Sequence, residues 1–210
     1  MSALSNAAPI IKSNLKNNLF PHLVLTLLLL LLTPVIFSIS NLNARAAAGP
    51  MEAFVVLSGV LLLTPLYYPE QKDAISETVE AKYISHLKVM FLRFLTAWIL
   101  TALVIVVFAG IMHYCGSTII GKLILGTFAS AVFLGGLGML ASGISKNIAV
   151  GYMIPIIYYT FNFAIGSKLG NFYLFSLMRD SFSEKPWLMA GSIVLAAAAF
   201  YIQYFRMKTR

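Results

Sequence analysis

Six apolar stretches, separated by short polar or turn-rich connections, dominate the chain. The first covers about residues 20–39 and contains the unbroken leucines Leu27 to Leu32. The others cover about residues 51–68, 93–112, 119–143, 147–166 and 187–205. Each is close to the roughly 20 residues a helix needs to cross a bilayer core. None has the period-2 alternation of a lipid-facing strand. The pattern predicts an all-α membrane protein with six transmembrane helices in a single domain, residues 1–210.

Two further segments read as structured without spanning. Ile10, Ile11, Asn14, Leu15, Asn18 and Leu19 recur at helical spacing, with Lys12 and Lys16 off that stripe. Residues 1–19 therefore suit a helix lying on the inner membrane surface with its apolar side down. Residues 167–186 mix Phe172, Tyr173, Phe175, Leu177 and Met178 with Arg179, Asp180 and Glu184. This segment is too polar to span and too aromatic for a freely solvated loop, so a re-entrant or interfacial helix on the outer side is expected.

Composition agrees with this class. Hydrophobic residues make up 60% of the chain, charged residues 10%, and mean hydropathy is +0.86. A soluble domain carries roughly 25% charged residues, so there are too few charges here to cover a water-facing surface. The six stretches fill the 210 residues, leaving no room for a separate soluble domain. The first run is long, starts about twenty residues into the chain and lacks a cleavage site, so it reads as a retained span. The net charge of +8 is better matched to an anionic membrane leaflet than to nucleic acid. The single cysteine, Cys115, excludes a disulfide framework or a multi-thiolate metal site within one chain.

Basic residues set the expected orientation. With the N-terminus inside, the inner side carries Lys12, Lys16, Lys72, Lys82, Lys88, Arg93, Lys146, Arg206, Lys208 and Arg210. The outer side carries Arg45, Lys122, Lys168, Arg179 and Lys185. Ten against five follows the positive-inside rule and predicts both termini in the cytoplasm.

The inner connection between the second and third spans, residues 69–92, is the most distinctive. Four of the seven acidic residues of the chain, Glu70, Asp73, Glu77 and Glu80, fall there at spacings of three, four and three, along one side of a helix. Lys72, Lys82 and Lys88 are interspersed. By itself such a segment suits a docking surface for a soluble partner and a plain solvated connection equally well.

Together with the start of the third span, this segment resembles the first inner loop of ATP-binding-cassette (ABC) permeases of the type-2 exporter class. That family places a Glu after the second span, another about seven residues on, then a Lys and a Ser before a third helix that begins near an Arg. Glu70, Glu77, Lys82, Ser85 and Arg93 stand at those positions. Where the family often has Gly-Thr before the second Glu, this chain has Ile75-Ser76. The fourth and fifth spans add a second likeness: a glycine-rich helix (Gly135, Gly136, Gly138, Gly143), a Ser145-Lys146-Asn147 turn, then Gly151-Tyr152. Small residues of this kind let helices approach closely in lipid.

The resemblance implies the transmembrane subunit of a bacterial ABC exporter in the cell membrane. Residues 69–92 would then form a coupling helix that contacts a separate ATPase subunit through Glu70, Asp73, Glu77, Glu80, Lys82 and Arg93. ATP and magnesium would be bound by that partner, and this chain would hold no cofactor. A second permease, identical or homologous, would complete the assembly. A hydrophobic or amphipathic cargo (a peptide, a drug-like molecule or a lipid) suits the apolar, aromatic-rich spans.

Other motifs point nowhere else. Gly116 to Leu123 nearly spells a phosphate-binding loop, but Leu123 replaces the magnesium-binding hydroxyl and no strand precedes it. His22, His86 and His113 lack the spacing of a zinc helix, and His113 with Cys115 is too small a ligand set. Asn162, Thr26, Thr64, Thr101 and Thr127 could line a pathway, although a threonine in a span usually bonds back to its own helix. Pro34, Pro65 and Pro155 read as helix bends. Glu52, at the outer end of the second span, reads as a snorkelling carboxylate. A stand-alone carrier or channel would call for charges inside the membrane, and an intramembrane enzyme for clustered His, Asp or an activated Ser. The sequence displays neither.

Overall fold

The computed structural model describes residue 12 and residues 14–71 and 86–208, and over these residues the protein is helical, without strands. The helices are α1 (Phe20–Ile36), α2 (Ala44–Tyr68), α3 (His86–Tyr114), α4 (Gly121–Ser145), α5 (Ile148–Ile165) and α6 (Lys185–Lys208). Five of them, α2 to α6, are long and apolar enough to cross a membrane. The sixth, α1, is apolar but has 17 residues, about 26 Å of helix against a hydrocarbon core of roughly 30 Å. It is preceded without a break by a π-helical turn, Leu15–Leu19. There Asn14, Asn18 and Leu19 are buried while Lys12 and Lys16 are exposed, as their helical spacing requires.

The second helix begins seven residues earlier than its apolar run. Asn43 caps it, its side-chain oxygen accepting from Ala46 N at 2.8 Å. Gly49-Pro50 reads as a stop, but the backbone continues through it. Pro50 has no N–H to give, and the next turn, Met51–Val55, is π-helical, with Val56 N reaching back five residues to the Met51 carbonyl at 3.1 Å. Met51, Glu52, Ala53 and Val55 of that turn are all buried.

The helices are arranged around α4. The most apolar stretches of α2 and α4 are 72% and 78% buried, against 33%, 17% and 22% for α3, α5 and α6. Two helices are therefore core and the others present broad apolar faces outward, the arrangement expected where lipid replaces water. The centre is tight because it is made of glycine. A Cβ on Gly59 would lie 2.0 Å from the Ala131 carbonyl oxygen, and one on Gly135 would lie 2.5 Å from the Gly59 oxygen. Thus α2 and α4 touch backbone to backbone, the small-residue packing favoured in membranes.

Successive helices run in opposite directions between two ends of the bundle. At the terminal end, Asn18 Nδ2 donates to Pro65 O at 3.3 Å, Ser142 Oγ to Thr64 O at 3.2 Å, and Arg206 to the Gly143 and Ile144 carbonyls that close α4. The α4–α5 turn lies here: Lys146 takes the left-handed conformation (φ 54°), and the Asn147 side chain caps α5 by accepting from Ala149 N at 2.8 Å. At the opposite end, Ser117 Oγ donates to Ile39 O at 2.7 Å and Thr118 N to Leu42 O at 2.8 Å. This end also receives residues 166–184, a strap built from two short 3-10 turns, Gly166–Phe172 and Leu177–Arg179.

Candidate functional site

Of the residues predicted to meet a partner, Glu70 lies in the 3-10 turn Thr64–Gln71 that ends α2, and Arg93 is half-buried two turns into α3. Asp73, Glu77, Glu80 and Lys82 lie outside the described residues. The 3-10 turn and α3 pack against each other, so the described residues on either side of the connection, Gln71 and His86, both belong to the terminal end. Lys12, Lys16, Lys88 and Lys146, all exposed, belong to that end.

The opposite end holds a polar cluster that sequence reading missed. Lys185, the first residue of α6, is 1% exposed, and Glu52, in the π-turn of α2, is 0% exposed. They form an ion pair. Glu52 is therefore not a snorkelling terminal carboxylate, and Lys185 is not an outer-loop charge. A cation at a helix N-terminus opposes the helix dipole, so Lys185 needs a partner there, and the Glu52 carboxylate meets both that need and its own. The lysine's two other N–H groups go to Ser130 Oγ of α4 at 2.8 Å and to the Leu174 carbonyl of the strap at 2.5 Å. All three donors of the ammonium are thus engaged. The second carboxylate oxygen of Glu52 accepts from the strap's Met178 N at 3.1 Å. Room for this comes from Gly126: a Cβ there would lie 2.6 Å from Leu177 Cδ1 and 3.3 Å from Lys185 Cε.

The strap is drawn inward by these contacts. Tyr173 to Leu177 are all buried, in extended or turn backbone; the adjoining 3-10 turns satisfy Tyr173 N and the Ser176 and Leu177 carbonyls, and the remaining polar groups need other partners. Side chains of the bundle supply them. Asn162, fully buried in α5, accepts from Leu174 N at 2.9 Å; Tyr158 donates to Phe172 O at 2.6 Å; Arg45 donates to Met178 O at 3.0 Å. Phe175 packs on Phe163 and Tyr159, ring centroids 4.3 and 5.4 Å away, and Tyr159 donates in turn to the Ala53 carbonyl beside Glu52. Asn162 thus holds backbone rather than lining a path. Thr26 and Thr101 bond to their own helices, at 2.7 and 2.9 Å.

Outside the helices the strap is wetter. Arg45 and Asp180 form an exposed ion pair at 3.6 Å. Burial raises the pKa of Tyr173, while Arg179, 5.2 Å above its ring, opposes the shift. Partial burial alone would raise Glu184, but hydrogen bonds from Ser181 (2.6 Å) and Ser183 (3.1 Å) outweigh it and hold the carboxyl below its ordinary value.

One signal for the buried pair was present in the sequence: Glu52 is the single acidic residue inside any of the six apolar stretches. Its partner lies 133 positions away, beyond the reach of any periodicity. Compared with known protein families, with curated proteins and with solved structures, the chain matches none.

Proposed function

We propose that this chain is the permease subunit of an ABC exporter in the bacterial cell membrane, with six spans and both termini in the cytoplasm. The observation that carries the reading is the acidic segment Glu70 to Glu80, followed by Lys82 and Arg93, between two helices that pack together at the terminal end. A second support is the Ser145-Lys146-Asn147 turn, which lies at the same end. For α1 to span, the preceding π-turn must count toward its length; residues 14–36 then reach about 34 Å, enough for a hydrocarbon core of roughly 30 Å. The buried pairing of Lys185 removes one basic residue from the outer tally, which strengthens the inward charge bias.

In this reading a partner ATPase binds and hydrolyses ATP, and its closure pushes on the coupling helix around residues 74–82. Two permeases, identical or homologous, rock between inward- and outward-facing states and move a hydrophobic or amphipathic cargo. Catalysis belongs to the ATPase. Co-expression with the ATPase encoded beside this chain, followed by co-elution and ATPase assay in mild detergent, tests it. Stable co-elution that Glu70→Lys with Glu77→Lys abolishes is the expected result; a wild-type chain that never retains an ATPase contradicts it.

One observation favours a second reading, a stand-alone carrier: the Glu52–Lys185 pair is a charge buried inside the bundle rather than at its surface. Against this, both carboxylate oxygens and all three ammonium hydrogens are already engaged within the chain, leaving no ligand free for a transported ion.

A further inference from the structure

We propose that the middle of the strap, residues 172–178, is a releasable segment, locked into the bundle by the Glu52–Lys185 ion pair. Three observations meet here. First, the polar ties from the bundle to the strap's backbone come from side chains on helices: Arg45 and Glu52 on α2, Ser130 on α4, Tyr158 and Asn162 on α5, Lys185 on α6. The strap's seat therefore exists only while four helices keep their present relation, and a shift of α2 against α6 separates the lock. Second, the strap has hinges on both sides. Gly166 and Gly170 take positive φ, 63° and 59°, with open space around the Cβ position of Gly170, and Asp180 beyond it is left-handed at φ 60°. Third, the side chains that seat it are apolar, Leu174, Leu177 and Phe175, the last in tilted and edge contact with Phe163 and Tyr159, and such contacts can part without leaving a hydrogen bond unmet.

Lys185 is the hub because it alone bonds at once to α2, to α4 and to the strap. Removing its charge, or that of Glu52, leaves the other uncompensated and weakens the hold on the strap: without Lys185 the Leu174 carbonyl keeps only Ser130 at 3.4 Å, and without the carboxylate the Met178 N–H loses its charged acceptor. The strap then opens as a local unit while the glycine-packed α2–α4 core stays closed. The lock rests on this geometry and needs no ATPase, so its test leaves the permease reading untouched.

Ser176→Cys in a Cys115→Ser background reports the strap. Ser176 is 1% exposed and its hydroxyl has no hydrogen-bond partner among the described residues, so the nearly isosteric thiol removes no bond. Ser58→Cys, also buried and without a hydroxyl partner among the described residues, reports the core. Each is reacted with a polar maleimide in lipid nanodiscs, where both faces are reachable. Adding Glu52→Gln or Lys185→Met is expected to raise labelling at position 176 roughly a hundredfold while position 58 stays protected. No rise at position 176 overturns the lock. A parallel rise at both positions overturns it too, because the pair would then be holding the whole bundle rather than the strap.

Discussion

Two ion pairs tie α2 to its neighbours at this end of the bundle, Arg45–Asp180 to the strap and Glu52–Lys185 to the first residue of α6, and they differ in almost everything. Arg45–Asp180 spans 3.6 Å with side chains 66% and 63% exposed; Glu52–Lys185 is in direct contact with side chains 0% and 1% exposed. The anchors Arg45 and Glu52 lie seven residues, about two helical turns, apart on one helix. Water screens the first pair and competes for it, so its worth is about 0–1 kcal/mol. The second has lost its water and depends on the hydrogen bonds around it, so losing either partner strands a charge. A charge's depth, and not its presence, decides what it does to this protein.

That contrast can be broken in graded ways. The largest effect is expected from Lys185→Met, which leaves Glu52 buried without its cation: a loss of about 3–5 kcal/mol in denaturant-induced unfolding in detergent. Combining it with Glu52→Leu is expected to restore most of that loss, since an apolar pair of similar volume is tolerated where a single charge is not. Asn162→Ala comes next. It removes the acceptor for Leu174 N and is expected to cost about 1–3 kcal/mol in the same assay, the penalty of a buried unpaired amide. Asp180→Asn is expected to cost no more than about 1 kcal/mol, and to cost nothing in molar salt.

The smallest effect is a pH dependence. The folded-state pKa of Glu184 is held below its ordinary 4.5, so its contribution is fully present above that value and is lost as pH falls through the lowered one. Unfolding curves of wild type and Glu184→Gln are expected to converge as pH is lowered from about 6 to about 3.

Much of the architecture was legible because apolar length is a local signal. Helices α4 to α6 lie close to their apolar runs, and the Ser145-Lys146-Asn147 turn forms where Asn147 can cap, whereas α3 is already helical at His86, seven residues before its run and two turns before Arg93. The start of α2 was not legible, since Gly49-Pro50 looks like a stop and only the π-turn behind it carries the helix onward. Nor was the shortness of α1: its apolar run continues to residue 39, but the helix ends at Ile36, where Phe37 turns extended. The acidic segment Glu70 to Glu80 is visible from spacing alone. Pairing of Glu52 with Lys185 was not, because it depends on α2 and α6 arriving on either side of α4. Gly126 and Ser130, which read as ordinary small residues, make the space and the bond that bring the two charges together.

The most direct test is a pair of double-mutant cycles on unfolding free energy in detergent, using Glu52→Gln with Lys185→Met and Arg45→Gln with Asp180→Asn. The predicted coupling is about 3 kcal/mol or more for the buried pair and within about 1 kcal/mol for the exposed one. Equal couplings would contradict the account, because depth would then make no difference and Glu52–Lys185 would be no lock.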